Sequence, residues 1–123
     1  MQQRLFALRG ANSVERNDAT AILAATDELM REMITRNALT PEKMVSCIFT
    51  LTEDLDAEFP AVAARQLGLS RVPLLCTREV PVPGSLARVV RTLLHYYAAE
   101  DHEPRHVYLN DARVLRSDLE SAQ

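Results

Sequence analysis

A single mixed α/β domain is what this sequence predicts, on three observations. The chain has 123 residues, the size of one domain, with no linker, repeat or low-complexity stretch between residues 1 and 123. Short apolar, β-rich runs alternate with stretches in which apolar residues recur at helical spacing. Hydrophobic residues make up 47% and charged residues 25%, enough apolar surface to bury a core without disulfides or a structural metal.

Leu5 to Arg9 is a short apolar run before Gly10 and reads as a strand ending in a turn. Asn17 and Asp18 are good N-caps, and Ile22, Leu23, Leu29, Met30, Met33 and Ile34 then recur at helical spacing, predicting an amphipathic helix from Asp18 to about Arg36. Asn37 to Pro41 ends it, and Met44 to Leu51 reads as a buried strand. After the acidic stretch Thr52 to Phe59, Pro60 suits the first turn of a short helix through Leu67, closed by Gly68. Arg71 to Thr77 is a third strand. Pro81, Pro83 and Gly84 form a loop, and Ser85 caps an expected second long helix with Leu86, Val89, Val90, Leu93, Leu94 and Tyr97 as its apolar stripe. Arg105 to Leu109 is a fourth strand, Ala112 to Leu115 a short fifth, and Ser117 onward a tail. Strands this few and short leave one sheet face uncovered, which a symmetric oligomer would bury.

The formal charge is −3, which argues against nucleic acid as a partner. Of fourteen basic residues Lys43 is the only lysine; the rest are arginine, whose planar fork grips carboxylates with paired hydrogen bonds. Cys47 and Cys76 stand in no Cys-x-x-Cys or Cys/His cluster, so no zinc site is expected. The first ten residues lack the apolar stretch of a signal peptide, and no run approaches the ~18 apolar residues of a membrane span. The expectation is a cytoplasmic protein with reduced thiols and no membrane partner.

No Gly-x-Gly-x-x-Gly, Walker loop, Gly-x-Ser-x-Gly or His-Glu-x-x-His occurs, and His95, His102 and His106 have no metal-like spacing. What remains are polar residues near strand ends: Arg9 closing the first, Cys76 and Glu79 closing the third, Tyr108 in the fourth and Arg116 after the last. Arg91 falls on the expected second helix, roughly 130° from the centre of its stripe at ~100° per residue, where it can reach a neighbouring pocket. Each also has an ordinary reading, as a strand cap, a surface arginine, a loop acid or a strand aromatic.

Taken together these residues form a pattern. Arg9-Gly10-Ala11 with Val14-Glu15-Arg16, Asp54-Leu55-Asp56-Ala57-Glu58-Phe59-Pro60-Ala61, Val72-Pro73-Leu74-Leu75-Cys76-Thr77-Arg78-Glu79, Arg105-His106-Val107-Tyr108-Leu109 and Val114-Leu115-Arg116-Ser117-Asp118-Leu119 closely resemble the bacterial monofunctional chorismate mutases of the trimeric α/β-barrel type. The likeness runs in unbroken order from about Leu5 to Leu119. It implies a pseudo-α/β-barrel homotrimer with active sites between subunits. Arg9, Glu79, Arg91 and Tyr108 would come from one subunit; Phe59, Ala61 and Arg65 would come from its neighbour. Cys76 matches a cysteine beside the substrate hydroxyl, and Leu115 and Arg116 match a segment that closes over the site. Val62 stands where the family can have lysine and Leu75 where it can have threonine, differences that bear on affinity rather than on the reaction.

The implied activity is that of an isomerase, an intramolecular transferase converting chorismate to prephenate in aromatic amino-acid biosynthesis. The rearrangement is pericyclic: one carbon–oxygen bond breaks as one carbon–carbon bond forms, with no proton transfer, cofactor or metal required. Arg91 and Glu79 are the expected catalytic charges. Arg9 and Tyr108 are expected to hold the side-chain carboxylate, with Cys76, Phe59, Ala61, Arg65, Leu115 and Arg116 completing the substrate site. Two other readings are an imine or enamine hydrolase on a similar trimeric barrel, with Glu79 as proton acceptor, and a carboxylate-binding module without catalysis.

Overall fold

The computed structural model describes residues 2–116; the tail expected from Ser117 onward lies outside the described residues. Along the chain lie β1 (Gln3–Ser13), α1 (Ala19–Asn37), β2 (Met44–Leu51), α2 (Ala61–Gln66), β3 (Leu74–Arg78), β4 (Val89–Ala99) and β5 (Val107–Leu109), with 3₁₀ turns at Pro41–Lys43 and Asn110–Arg113. The five strands form one mixed sheet in the order β3-β2-β4-β1-β5. β4 is the centre, antiparallel to both β1 and β2, while β5 and β3 pair parallel at the two edges.

Alternation along the strands divides the sheet into two faces. Phe6, Leu8, Phe49, Leu51, Val90, Leu94, Tyr96 and Val107 are buried in the core with α1 and α2. α1 begins where Asp18 Oδ1 accepts from Ala21 N at 2.7 Å and ends where Ala38 turns left-handed at φ 51° and Leu39 N donates to Ile34 O at 3.0 Å. Its buried face carries Ile22, Leu29, Met30 and Met33. Close approach of α1 to β1 requires glycine at Gly10, where an added Cβ would lie 2.5 Å from Met33 Sδ.

Three expectations are corrected. The first strand does not end in a turn at Gly10 but runs through it to Ser13. The second long helix is a strand: Val89–Ala99 is β4, and the fold has one long helix, not two. The helical spacing arose because β4 carries apolar residues on both faces, Val90, Leu94 and Tyr96 toward the core and Val89, Leu93 and Tyr97 away from it. A strand apolar on both faces loses its period-two signature. The expected fifth strand at Ala112 to Leu115 is instead the 3₁₀ turn Asn110–Arg113 continued by a helical turn. The sheet reaches five strands because β4, expected as a helix, is one of them.

Candidate active site

The face turned away from the helices carries the polar residues. Direct cross-strand partners share a face, so the pairings Thr50–Arg91, Arg91–Ala11 and Ala11–Tyr108 set one row of side chains across β2, β4, β1 and β5. The adjacent row on the same face is Ile48, Leu93 and Arg9. Arg9, Glu79, Arg91 and Tyr108 thereby line one cleft of about 300 Å³, with Thr50, Ile48 and Leu93 in its floor. The correction to β4 moves Arg91 from the margin of a helix to the middle of the sheet, pointing into this cleft.

Glu79 follows β3 and is anchored by its own N–H, which donates to Leu51 O at 3.0 Å. Both of its carboxylate oxygens are engaged. Thr50 Oγ1 donates to Oε2 in a short hydrogen bond, and Arg91 Nη1 donates to Oε1 at 3.3 Å. The Arg91–Glu79 ion pair is partly solvated, with side chains 41% and 21% exposed, so it orients more than it stabilises. Burial raises the Tyr108 phenol above its ordinary pKa of 10.0, against the opposing pull of Arg9, Arg91 and Arg116, so it remains a hydrogen-bond donor at neutral pH. Two arginines against one carboxylate, with Arg116 close enough to act on Tyr108, give the cleft a surplus of positive charge.

The remaining expected residues are distributed around this cleft. Leu115 lines a larger adjoining cleft of about 610 Å³ beneath the loop from Val80 to Ala87, and the two clefts share Glu79 and Arg91. Phe59 is 65% exposed, Ala61 is buried in the first turn of α2, and Arg65 is exposed on its last turn; none lines the Arg91 cleft within one chain. Cys76 is in register with Phe49 and packs against the helix-covered core, sharing a depression with Phe59 and Pro60. Its thiol is therefore turned to the face opposite the cleft, although Glu79 is three residues away in sequence. The other thiol, Cys47, is pushed up to about 12, chiefly by burial.

Sequence reasoning missed two neighbours of the site. Thr50 holds Glu79, and His106 accepts a hydrogen bond at Nδ1 from the main-chain N–H of Arg9 at 3.0 Å. Thr50 had a readable signal, a hydroxyl between the core residues Phe49 and Leu51. His106 had none, because its contact crosses almost the whole chain. Among the described residues no group of three His, Cys, Asp or Glu side chains could hold a metal ion, and no helix is long and apolar enough to cross a membrane.

A mixed sheet covered by helices on one side carries arginines, a tyrosine and a held glutamate on the other, charges of the kind that suit a small carboxylate-bearing molecule. Residues 5–119 match the family described as chorismate mutase type I, and the chain belongs to that family. It is 52% identical over 118 residues to chorismate mutase AroH of Thermus thermophilus, spanning 94% of this chain and 97% of that protein. It is 39% identical over 114 residues to chorismate mutase AroH of Bacillus subtilis, spanning 91% and 90%. A solved chorismate mutase from Clostridium thermocellum superposes with a TM-score of 0.84 at 44% identity, covering 89% of this chain and 98% of that one.

Proposed function

We propose that this isomerase rearranges chorismate to prephenate in the Arg9–Glu79–Arg91–Tyr108 cleft, and that each cleft is completed by a neighbouring copy in a homotrimer. The observation that carries the reading is the convergence of those four side chains, from β1, the end of β3, β4 and β5, on one sheet face. A cleft of about 300 Å³ is at the lower limit of ligand sites, ~300–1,000 Å³, so a second wall would complete it. Leu5, Leu75 and Tyr97 are 47%, 61% and 46% exposed on the same face, an apolar surface suited to a second copy. Following the family resemblance, we assign Phe59, Ala61 and Arg65 to the neighbour's site, and consistently none of them lines the Arg91 cleft of its own chain.

In the mechanism, Arg9 and Tyr108 bind the side-chain carboxylate and hold the compact conformer in which the two carbons meet. As the ether bond stretches, negative charge gathers on its oxygen and positive charge on the ring. Arg91 meets the oxygen and Glu79 faces the ring, accepting the ring hydroxyl's hydrogen bond. Charges that appear only in the transition state are those an enzyme stabilises to gain rate. Thr50 fixes the Glu79 carboxylate for this role. Leu115 and Arg116 close the mouth, and Arg116 and the neighbour's Arg65 attract the dianion; Cys76, its thiol on the opposite face of the sheet, takes no part in this chain's cleft. The hydrolase alternative needs Glu79 as a proton acceptor, yet both of its oxygens already accept hydrogen bonds from Thr50 and Arg91. We place the enzyme in the cytoplasm, where its two free thiols stay reduced.

The test is loss of chorismate absorbance with the pure protein and no added cofactor, alongside sedimentation at micromolar concentration. Prephenate formation by a trimer is expected. No turnover refutes the activity, and a stable, active monomer refutes the shared site.

A further inference from the structure

His106 has no part in the roles above, yet its ring touches the backbone of the cleft. β5 pairs with β1 from Val107, in register with Gly10. One step earlier the ladder is interrupted. Asn37, the last residue of α1, engages both main-chain groups of Arg105: its Nδ2 donates to Arg105 O at 3.0 Å and its Oδ1 accepts from Arg105 N at 2.8 Å. The strand is thereby drawn toward the helix before it reaches β1. The main-chain N–H of Arg9 donates instead to His106 Nδ1 at 3.0 Å. An imidazole nitrogen stands in for a strand carbonyl at the residue whose guanidinium lines the cleft.

We propose that His106 is a positioning residue for substrate binding: as the neutral imidazole protonated on Nε2, it holds the main chain of Arg9 and so aims the Arg9 guanidinium at the substrate carboxylate. The proposal rests on the assignment of this cleft as the chorismate site. Nδ1 accepts a hydrogen bond only while it carries no proton. An imidazolium would oppose the Arg9 N–H with a second donor. It would also add a cation where Arg9 on β1 and Arg116 in the C-terminal turn already act on the ring, with the uncharged Tyr108 phenol two residues on. α1 packs on β5 from the core side and brings there the uncharged Asn37 amide. Burial, then Arg9, then Arg116 depress the His106 pKa below its ordinary 6.5. With a depressed pKa the neutral ring's contribution is complete above 6.5 and is lost as pH falls through the lower, folded value. His106 is exposed in the single chain, so water can replace it and its loss equals one net hydrogen bond, not the collapse of the strand.

The experiment compares the wild type with His106→Asn, which keeps a side-chain acceptor but does not titrate, and His106→Leu, which has no acceptor. At neutral pH His106→Leu should raise KM about two- to tenfold, the equivalent of one net hydrogen bond, with a smaller change in kcat. His106→Asn should stay near the wild type. Between about pH 5 and 8, where histidines titrate, the wild-type KM should rise on the acid side and that of His106→Asn should not. The Arg9 amide resonance of the wild type should move with the same midpoint. An unchanged KM in folded His106→Leu, or an acid rise retained in His106→Asn, overturns the proposal. A wild type that leaves chorismate intact refutes the functional reading instead, and the Arg9 amide then decides the hydrogen bond on its own, since a resonance flat across the His106 titration overturns it.

Discussion

Gly10→Ala places one methyl group where β1 and α1 approach closely. The added Cβ would meet Met33 Sδ at 2.5 Å, Leu29 Cδ1 at 3.0 Å and Met33 Cε at 3.2 Å. Favourable carbon contacts lie near ~3.5–4.0 Å, so the thioether must retreat by about 1 Å. Met33 and Leu29 are both 0% exposed, which leaves only packed core to retreat into. Overpacking by one methylene-sized group typically costs about 1–3 kcal/mol. The flexibility of methionine and the smaller unfolded-state entropy of alanine return part of this, so a net loss of about 1–2 kcal/mol is expected. Urea denaturation followed by circular dichroism measures it, at one fixed protomer concentration because the proposed assembly would couple to folding. Met33→Ala alone should cost about 2–5 kcal/mol through the cavity it opens. The double variant should lose less than the sum by about 1 kcal/mol, because the new methyl occupies part of that cavity. Strict additivity, or a Gly10→Ala protein as stable as the wild type, would refute the packing argument.

Three further outcomes are expected. Thr92 Oγ1 is, among the described residues, the one buried side-chain oxygen or nitrogen without a hydrogen-bond partner, so Thr92→Val should raise stability by about 1 kcal/mol in the same denaturation assay. Trimers refolded from a mixture of Arg91→Ala and Arg65→Ala chains should recover activity that both impaired parents lack, because some clefts then draw intact residues from two chains; no recovery contradicts the shared site. Because the reaction moves no proton, kcat should be flat across neutral pH, with the KM rise tied to His106 as the acid-side departure; a bell-shaped kcat profile in folded protein would indicate acid–base chemistry instead.

Local structure was legible where one signal dominated. The Asp18 cap and the single apolar stripe of α1 predicted a helix found at Ala19–Asn37, and Met44–Leu51 was found as β2 with the expected bounds. Pro60 marked the start of α2. β4 was not legible, because its partners on either side in the sheet are supplied by segments distant in sequence: Ala11 and Thr50 flank Arg91, and nothing local to residue 91 announces either. The same limit hid the His106–Arg9 contact. The identity of the cleft residues was readable from the family-like segments, but their convergence depends on cross-strand register. Cys76 shows the difference, since it stands within a family-like segment while its thiol lies on the far side of the sheet.

Replacement of Arg91 by citrulline tests the electrostatic account most directly, because it keeps the shape of the side chain and removes its charge. Arg91 already reaches into the cleft to Glu79 at 3.3 Å, and under this account its charge acts on the ether oxygen only as that oxygen becomes negative. Loss of one such donor in a preorganised site typically costs ~10²–10³ in rate, roughly 3–4 kcal/mol. The predicted result is a fall in kcat of that order with KM little changed, in a variant that remains folded and trimeric. A raised KM with kcat preserved would make Arg91 a binding residue and would contradict the mechanism, even with chorismate as the substrate.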